Sequence, residues 1–282
     1  MSANSHNSIP RMQILGISVS VVNMAHAVTT FIEWARTGKA RKVFVRDVAS
    51  LMLAVKEPRL QALHENADMV TPDGMPLAWI GKLRGYGRKI GRVSGADIVD
   101  AVCAASLKTG QTHYFYGGQE GVAERMAANL AHKYPGLKVA GTFSPPWREI
   151  GPASELTDEI RNELDAIRAS GADFVWIGLS SPKQDYFISK AAPYSGRGVF
   201  FAVGAAFDFH SGNVKRAPVW MQKLGLECIH RLFSDPKRLW RRYILLAPKF
   251  IWLIALENLD QGKASRNKLP QIRSRRPKSR TR

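Results

Sequence analysis

Short apolar runs alternate with amphipathic stretches through most of this chain. Residues 14–22, 43–48, 112–116, 137–143, 173–179 and 198–203 are rich in β-branched and aromatic side chains, the pattern of strands buried on both faces of a parallel sheet. Residues 68–71 add a shorter run of the same kind. Between these runs, residues 121–133 and 156–169 read as helices, the second with Leu156, Ile160, Leu164 and Ile167 at spacings of three and four. Such alternation predicts an α/β fold, with a Rossmann-like, mostly parallel sheet flanked by helices.

After about residue 216 the rhythm changes to two basic, aromatic helices over residues 218–233 and 236–258. Ser234-Asp235-Pro236 separates them, Asp235 serving as N-cap and Pro236 as the first helical residue. From residue 260 the chain is polar and dense in Arg, Lys, Ser and Pro, a composition expected to be disordered. Three parts follow: a Rossmann-like core over residues 1–216, a C-terminal helical appendage over 217–259 and a basic tail over 260–282.

Composition sharpens this division. The chain has 282 residues and 45% hydrophobic content, ample for a core. Of its net charge of +18, most lies late: residues 210–282 carry 18 Lys/Arg against 4 Asp/Glu. A nearly neutral body with a basic end implies an anionic partner, either nucleic acid or an acidic membrane surface. Cationic and aromatic residues interleaved along the appendage, among them Trp220, Phe233, Trp240 and Tyr243, favour the membrane surface over nucleic acid. The polar N-terminal residues do not form a secretory signal, and the longest apolar stretch, residues 243–256, is interrupted by Pro248-Lys249 and falls short of the roughly 20 residues of a spanning helix. Cys103 and Cys228 are too few for a disulfide framework or zinc cluster and read as buried thiols.

Candidate chemistry gathers where strands end. Pro72-Asp73-Gly74 is a good turn by composition, yet it also puts a carboxylate just past a strand, where open parallel sheets bind ligands. Gly117-Gly118 follows another strand and precedes a helix, an arrangement that serves a phosphate or is simply a strand-to-helix turn. In Ser180-Ser181-Pro182-Lys183-Gln184, Ser181 is expected to cap a helix, and Lys183 in its first turn implies an anion or acidic neighbour. Asp208 is a further carboxylate after a strand, a ribose acceptor or a cap. Arg92 either clamps a phosphate or pairs with Asp97. No Asp-x-Asp metal motif, Gly-x-Ser-x-Gly elbow or phosphate-binding P-loop is present, so chemistry without metal or cofactor is expected.

Taken in order, NADMVTPDGMPLAW, RVSGADI, FYGGQEGVAE, PGLKVAGTFSPP, GLSSPKQD, VGAAFDFHSGNVKRAPVWMQKLGLECIHRLF and DPKRLWRRY resemble the WecG/TagA/CpsF family of bacterial glycosyltransferases, over roughly residues 14–250. The resemblance implies metal-independent, inverting transfer of N-acetylmannosamine, glucose or a related hexose from a UDP-sugar. The acceptor it implies is a sugar on undecaprenyl diphosphate, at the inner face of the cytoplasmic membrane. It makes Asp73 the general base, Gln184 a residue beside the donor sugar and Arg92 an active-site arginine. Gly117, Gly118, Phe143 and Asp208 fall in the nucleotide pocket, Phe143 stacking on uracil. Arg231, Arg238 and Arg241 become appendage arginines that reach the acceptor diphosphate. Many members carry Thr-x-Asn where this chain has Val45-Arg46-Asp47, so Asp47 is expected beside the sugar with an altered polar contact. Association of copies through the core is compatible with the family. The competing classes are a nucleic-acid-binding protein acting through its tail and, more remotely, a nicotinamide-dependent dehydrogenase lacking the glycine fingerprint.

Overall fold

A computed structural model describes residues 9–234, Trp240 and residues 246–267, with only the backbone given for Lys223, Cys228, Arg231, Ser234 and residues 260–267. Eight strands are described: β1 Arg11–Ile14, β2 Ile17–Ser20, β3 Arg41–Arg46, β4 Met69–Pro72, β5 Thr112–Gly117, β6 Lys138–Phe143, β7 Phe174–Gly178 and β8 Val199–Ala202. Six of them form one sheet in the order β4-β3-β8-β7-β5-β6, and every pair in it is parallel. The fold is the α/β sheet the alternation predicts.

Alternate residues of each strand feed two separate cores. Phe44, Val70, Tyr116, Ile177 and Phe200 pack on one face with the helices Val48–Lys56, Pro58–Glu65, Asp158–Ala169 and Lys183–Ser195. Val43, Met69, Phe115, Trp176 and Phe201 pack on the other with Met24–Arg36, Gly95–Thr109 and Val122–Lys133. With both faces covered, the strands lose the polar alternation of a half-exposed sheet. Burial of Cys103 among these helices pushes its thiol up to about 12.

Residues 14–22 do not form one parallel strand. Leu15 and Gly16 both take positive φ, 51° and 78°, and fold β1 back on β2 as an antiparallel hairpin outside the main sheet. Two successive positive-φ residues are what a tight hairpin turn of primed type requires. The appendage also departs from expectation. Residues 218–233 hold two short helices, Val219–Lys223 and Glu227–Ser234, separated around Gly225 with φ 75°. Further on, the helix Leu246–Asn267 runs past the expected boundary at residue 259. The Asp235-Pro236 start and residues 268–282 lie outside the described residues.

All six carboxyl ends of the sheet lie along one edge. From β5 the chain goes outward to β6, whereas from β7 it goes to β8 on the other side. Connections therefore diverge between β5 and β7, which opens a crevice there.

Candidate active site

The candidate residues fall in one row along that edge. Asp73 follows β4, Asp47 follows β3, Gly204 lies just beyond β8, Gln184 sits in the first turn after β7, Gly117 ends β5 and Phe143 ends β6. Adjacent strands lie about 4.8 Å apart, so five spacings carry the row across about 24 Å.

Asp73 occupies one end. Pro72 closes β4 rather than entering the turn, which a proline can do because β4 is the edge strand. The Asp73 N–H donates to the Arg46 carbonyl at 2.7 Å, the Val93 N–H donates to that of Pro72 at 2.9 Å, and Gly74 turns the chain with φ 88° into the helix Met75–Gly81. Asp73 is partly buried, its free surface lining a cavity of about 450 Å³. Desolvation raises its carboxyl to about 7, Asp47, Glu227 and Asp97 add to the rise, and Arg92 opposes it. A carboxylate in this state takes up a proton near neutral pH.

The cavity has a polar floor and an apolar mouth. Trp79, Leu83, Phe250, Ile251 and Ile254 supply apolar walls, the last three from the helix Leu246–Asn267. That helix is tied to the core by Glu257, which accepts from the Leu15 N–H at 3.0 Å and pairs with Arg84 Nη2 at 2.6 Å.

Four charged residues close a ring at the floor, three of which, Arg92, Arg216 and Glu227, line the cavity. Arg92 pairs with Asp97 at 2.5 Å and with Glu227 at 2.8 Å; Arg216 pairs with Asp97 at 2.7 Å and with Glu227 at 3.2 Å. Ser94 caps the helix Gly95–Thr109 and donates to Asp97 at 2.6 Å. Burial works against ionisation of Asp97, but Arg216, Ser94 and Arg92 outweigh it and hold its carboxyl below the usual range. The sequence reading offered Arg92 a phosphate or Asp97; the structure gives it Asp97 and, in addition, Glu227. Arg216 and Glu227 were missed. Their signal was present, since Glu227 is one of only 4 acids among residues 210–282.

Asp47 lines the same cavity while capping the helix Val48–Lys56, its side chain accepting from Ser50 N–H and Ser50 Oγ reaching back to the Asp47 N–H. Ser181 does not cap the helix Lys183–Ser195, whose N-cap is Pro182. Its Oγ accepts instead from Arg46 and Gln184. Among the described residues Lys183 pairs with no acid: Nζ donates to the Arg148 carbonyl at 3.0 Å and lies 4.2 Å from the Trp147 ring centroid.

Gly117, Gly118, Phe143 and Asp208 do not line the cavity of Asp73. Gly117 has φ 137°, and a Cβ on it would come within 2.7 Å of the Gly178 backbone; Gly118 donates its N–H to the Gly178 carbonyl at 3.0 Å. Close strand packing thus accounts for Gly117, and the loop after β5 stands at the divergence of the connections. Phe143 is half-buried, its ring centroid 5.8 Å from that of Tyr116. Asp208 lies in the short helix Ala206–His210 rather than directly at a strand end. Arg231 belongs to the helix Glu227–Ser234, but its side chain, like Arg238 and Arg241 entirely, lies outside the described residues. Among the described residues no three His, Cys, Asp or Glu side chains come together to hold a metal ion.

Residues 12–264 match the Glycosyl transferase WecG/TagA/CpsF family, nearly the whole described chain. The chain belongs to the WecG/TagA/CpsF glycosyltransferase family. The match extends past residue 250, through most of the helix that roofs the cavity. A curated relative, the N-acetylglucosaminyldiphosphoundecaprenol N-acetyl-beta-D-mannosaminyltransferase of Bacillus spizizenii (strain ATCC 23059 / NRRL B-14472 / W23), is 30% identical over 198 residues, covering 70% of this chain and 72% of the relative. This WecG/TagA/CpsF member is thus an enzyme, a glycosyltransferase, and the row along its sheet edge is the candidate site for that chemistry.

Proposed function

We propose that this glycosyltransferase moves a hexose, N-acetylmannosamine or a related sugar, from a UDP-sugar to a sugar on undecaprenyl diphosphate, by inversion and without a metal, in surface polysaccharide assembly. The observation that carries the reading is Asp73: a single carboxyl raised to about 7, on the wall of a cavity with an apolar mouth and arginines on its floor. The activity for which the Bacillus relative is named supports the choice of acceptor and of sugar.

In this reading Asp73 removes the proton of the acceptor hydroxyl as its oxygen attacks the anomeric carbon. The bond from that carbon to the diphosphate oxygen breaks, and its electron pair leaves with UDP. A base with a pKa near the working pH suits this step. The nucleotide lies along the row toward Gly117, Gly118 and Phe143, with Asp208 toward the ribose, and the sugar lies between Gln184, Asp47 and Asp73. Arg92 serves as an active-site arginine, and the role of Arg231, Arg238 and Arg241 of the appendage is to offset the charge of the acceptor diphosphate.

Docking is peripheral, on the inner face of the cytoplasmic membrane. No helix among the described residues is long and apolar enough to cross a membrane, while Leu83, Ile251, Trp252 and Leu259 are exposed on and beside the helix that roofs the cavity. The core of residues 1–216 does the chemistry, and residues 217–259 with the basic end hold lipid and acceptor.

A panel of UDP-sugars with a short-chain polyprenyl-diphosphate-sugar acceptor, scored by UDP release, tests the reading. Turnover with one donor is expected, as is a loss of about 10³-fold in Asp73→Asn with UDP affinity retained. Near-normal turnover in that variant removes Asp73 as the base, and no turnover with any donor overturns the reading as a whole.

A further inference from the structure

Beneath the crevice the last residue of β3 reaches across to the loop after β7. Arg46 is fully buried, with its guanidinium 5.1 Å from the centroid of the Phe44 ring. It forms an ion pair with Asp185, also fully buried, and donates from Nη1 to Ser181 Oγ at 2.9 Å. Ser181 Oγ also accepts from Gln184 Nε2 at 3.3 Å. Gln184 is only 4% exposed, and its Oε1 is buried with no hydrogen-bond partner. The amide lies beside Gly204, where an added Cβ would stand 3.4 Å from Oε1 and 3.6 Å from Nε2, so hydrogen bonding and not proximity decides its orientation.

Donor and acceptor chemistry decides which end of the Gln184 amide points where. A guanidinium only donates, so Ser181 Oγ accepts from Arg46. Burial pushes the Asp185 carboxyl upward, while Arg46 and the Ser181 hydroxyl favour its ionised form. A carboxylate attracts the Ser181 proton more strongly than an amide carbonyl does. Ser181 therefore has a lone pair left over, which only the amine end of Gln184 can use. The carbonyl end is turned toward Gly204, in the middle of the row between Asp73 and Gly117.

We propose that Arg46 and Ser181 are positioning residues that lock Gln184 with its carbonyl toward the crevice, so that this position selects sugars offering a hydroxyl or amide N–H there and rejects those offering a carboxylate. The proposal rests on the UDP-sugar reading above. A buried acceptor rewards a donor that meets it and penalises a second acceptor, the asymmetry by which polar sites discriminate strongly. A side chain at position 204 would stand against the amide, its Cβ 3.4 Å from Oε1.

The test is calorimetric titration of the full chain with UDP, UDP-N-acetylmannosamine and UDP-glucuronate, in wild type, Ser181→Ala, Gln184→Ala and the double variant. Affinity for UDP-N-acetylmannosamine is expected to fall about ten-fold in each single variant, with no further loss in the double, because both changes remove one interaction. Discrimination against UDP-glucuronate is expected to shrink in step, while affinity for UDP alone stays level. Additive losses, an unaffected Ser181→Ala, or a wild type that binds UDP but gains nothing from the sugar overturns the proposal. Failure of wild type to bind UDP overturns the UDP-sugar reading instead, and the positioning claim is then decided by the ¹⁵N side-chain amide signals of Gln184, assigned by their loss in Gln184→Ala. Amide protons that exchange slowly with solvent in wild type and faster in Ser181→Ala support it, and an exchange rate and chemical shift indifferent to Ser181→Ala refute it.

Discussion

Arg92 and Arg216 grip the same two carboxylates, Asp97 and Glu227, although 124 positions separate the two arginines in sequence. One acid belongs to the helix Gly95–Thr109 of the core and the other to the helix Glu227–Ser234, so the ring joins the core to the appendage at the floor of the cavity.

Removing Arg216 leaves both acids with Arg92 alone. All four side chains are at most 30% exposed, and Arg216→Met is expected to lower stability by about 1–3 kcal/mol at neutral pH, between the surface and fully buried limits. The sign with pH follows from Asp97, whose carboxyl lies below its ordinary 3.8 in the folded protein. Its contribution is present above that value and is lost as pH falls through the folded one. Urea midpoints of wild type should therefore drop on acidification below about pH 4, and Arg216→Met should show a weaker drop.

Asp73 gives the opposite sign. Its carboxyl rises from 3.8 to about 7 on folding, so the folded state binds the proton more tightly. Stability is expected to decline as pH rises across that interval, and Asp73→Asn should flatten the decline in denaturant titrations. The rate runs the other way, because a base must be deprotonated: kcat/KM is expected to climb with pH and level off above about 7. A profile flat from pH 5 to 9 would contradict the role assigned to Asp73.

Arg46 and Asp185 are both 0% exposed. Arg46→Met alone strands a buried carboxylate and is expected to cost about 3–5 kcal/mol, whereas Arg46→Met with Asp185→Leu should recover most of that. Guanidinium denaturation of the three proteins gives the comparison.

Glu257 links the helix Leu246–Asn267 to the Leu15 backbone and to Arg84. In Glu257→Ala, amide hydrogen exchange is expected to quicken along that helix while the strands of the sheet keep wild-type protection. Equal acceleration in both would show that the helix does not open separately.

Much of this was legible because strands buried on both faces are nearly continuous apolar runs, and all six sheet strands fall within one or two residues of their expected ends. The hairpin was hidden because Leu15 carries a positive φ that leucine seldom adopts, which left Gly16 as the single turn signal within an otherwise apolar run. Gly225 was the visible break in residues 218–233, and its φ of 75° marks where the two short helices part. Asp73 could be picked out by its place after a strand, but its raised carboxyl depends on Asp47, Glu227 and Asp97, brought near by the fold. Arg216 and Glu227 were passed over for a compositional reason. In a segment with 18 cations, a single further arginine is inconspicuous, and the informative residues are the few acids that remain. Glu227 and Glu257 are two of those acids, and each makes an ion pair to the core.

The cavity takes its last wall from Ala247, Phe250, Ile251 and Ile254. These residues leave the ribosome after every strand of the sheet has been made. A nascent chain can therefore assemble its sheet with Asp73 already in place while the chamber above it still lacks a roof. Enclosure of the site follows completion of the sheet, and a chain cut short before residue 247 keeps the carboxylate but lacks that wall of the chamber.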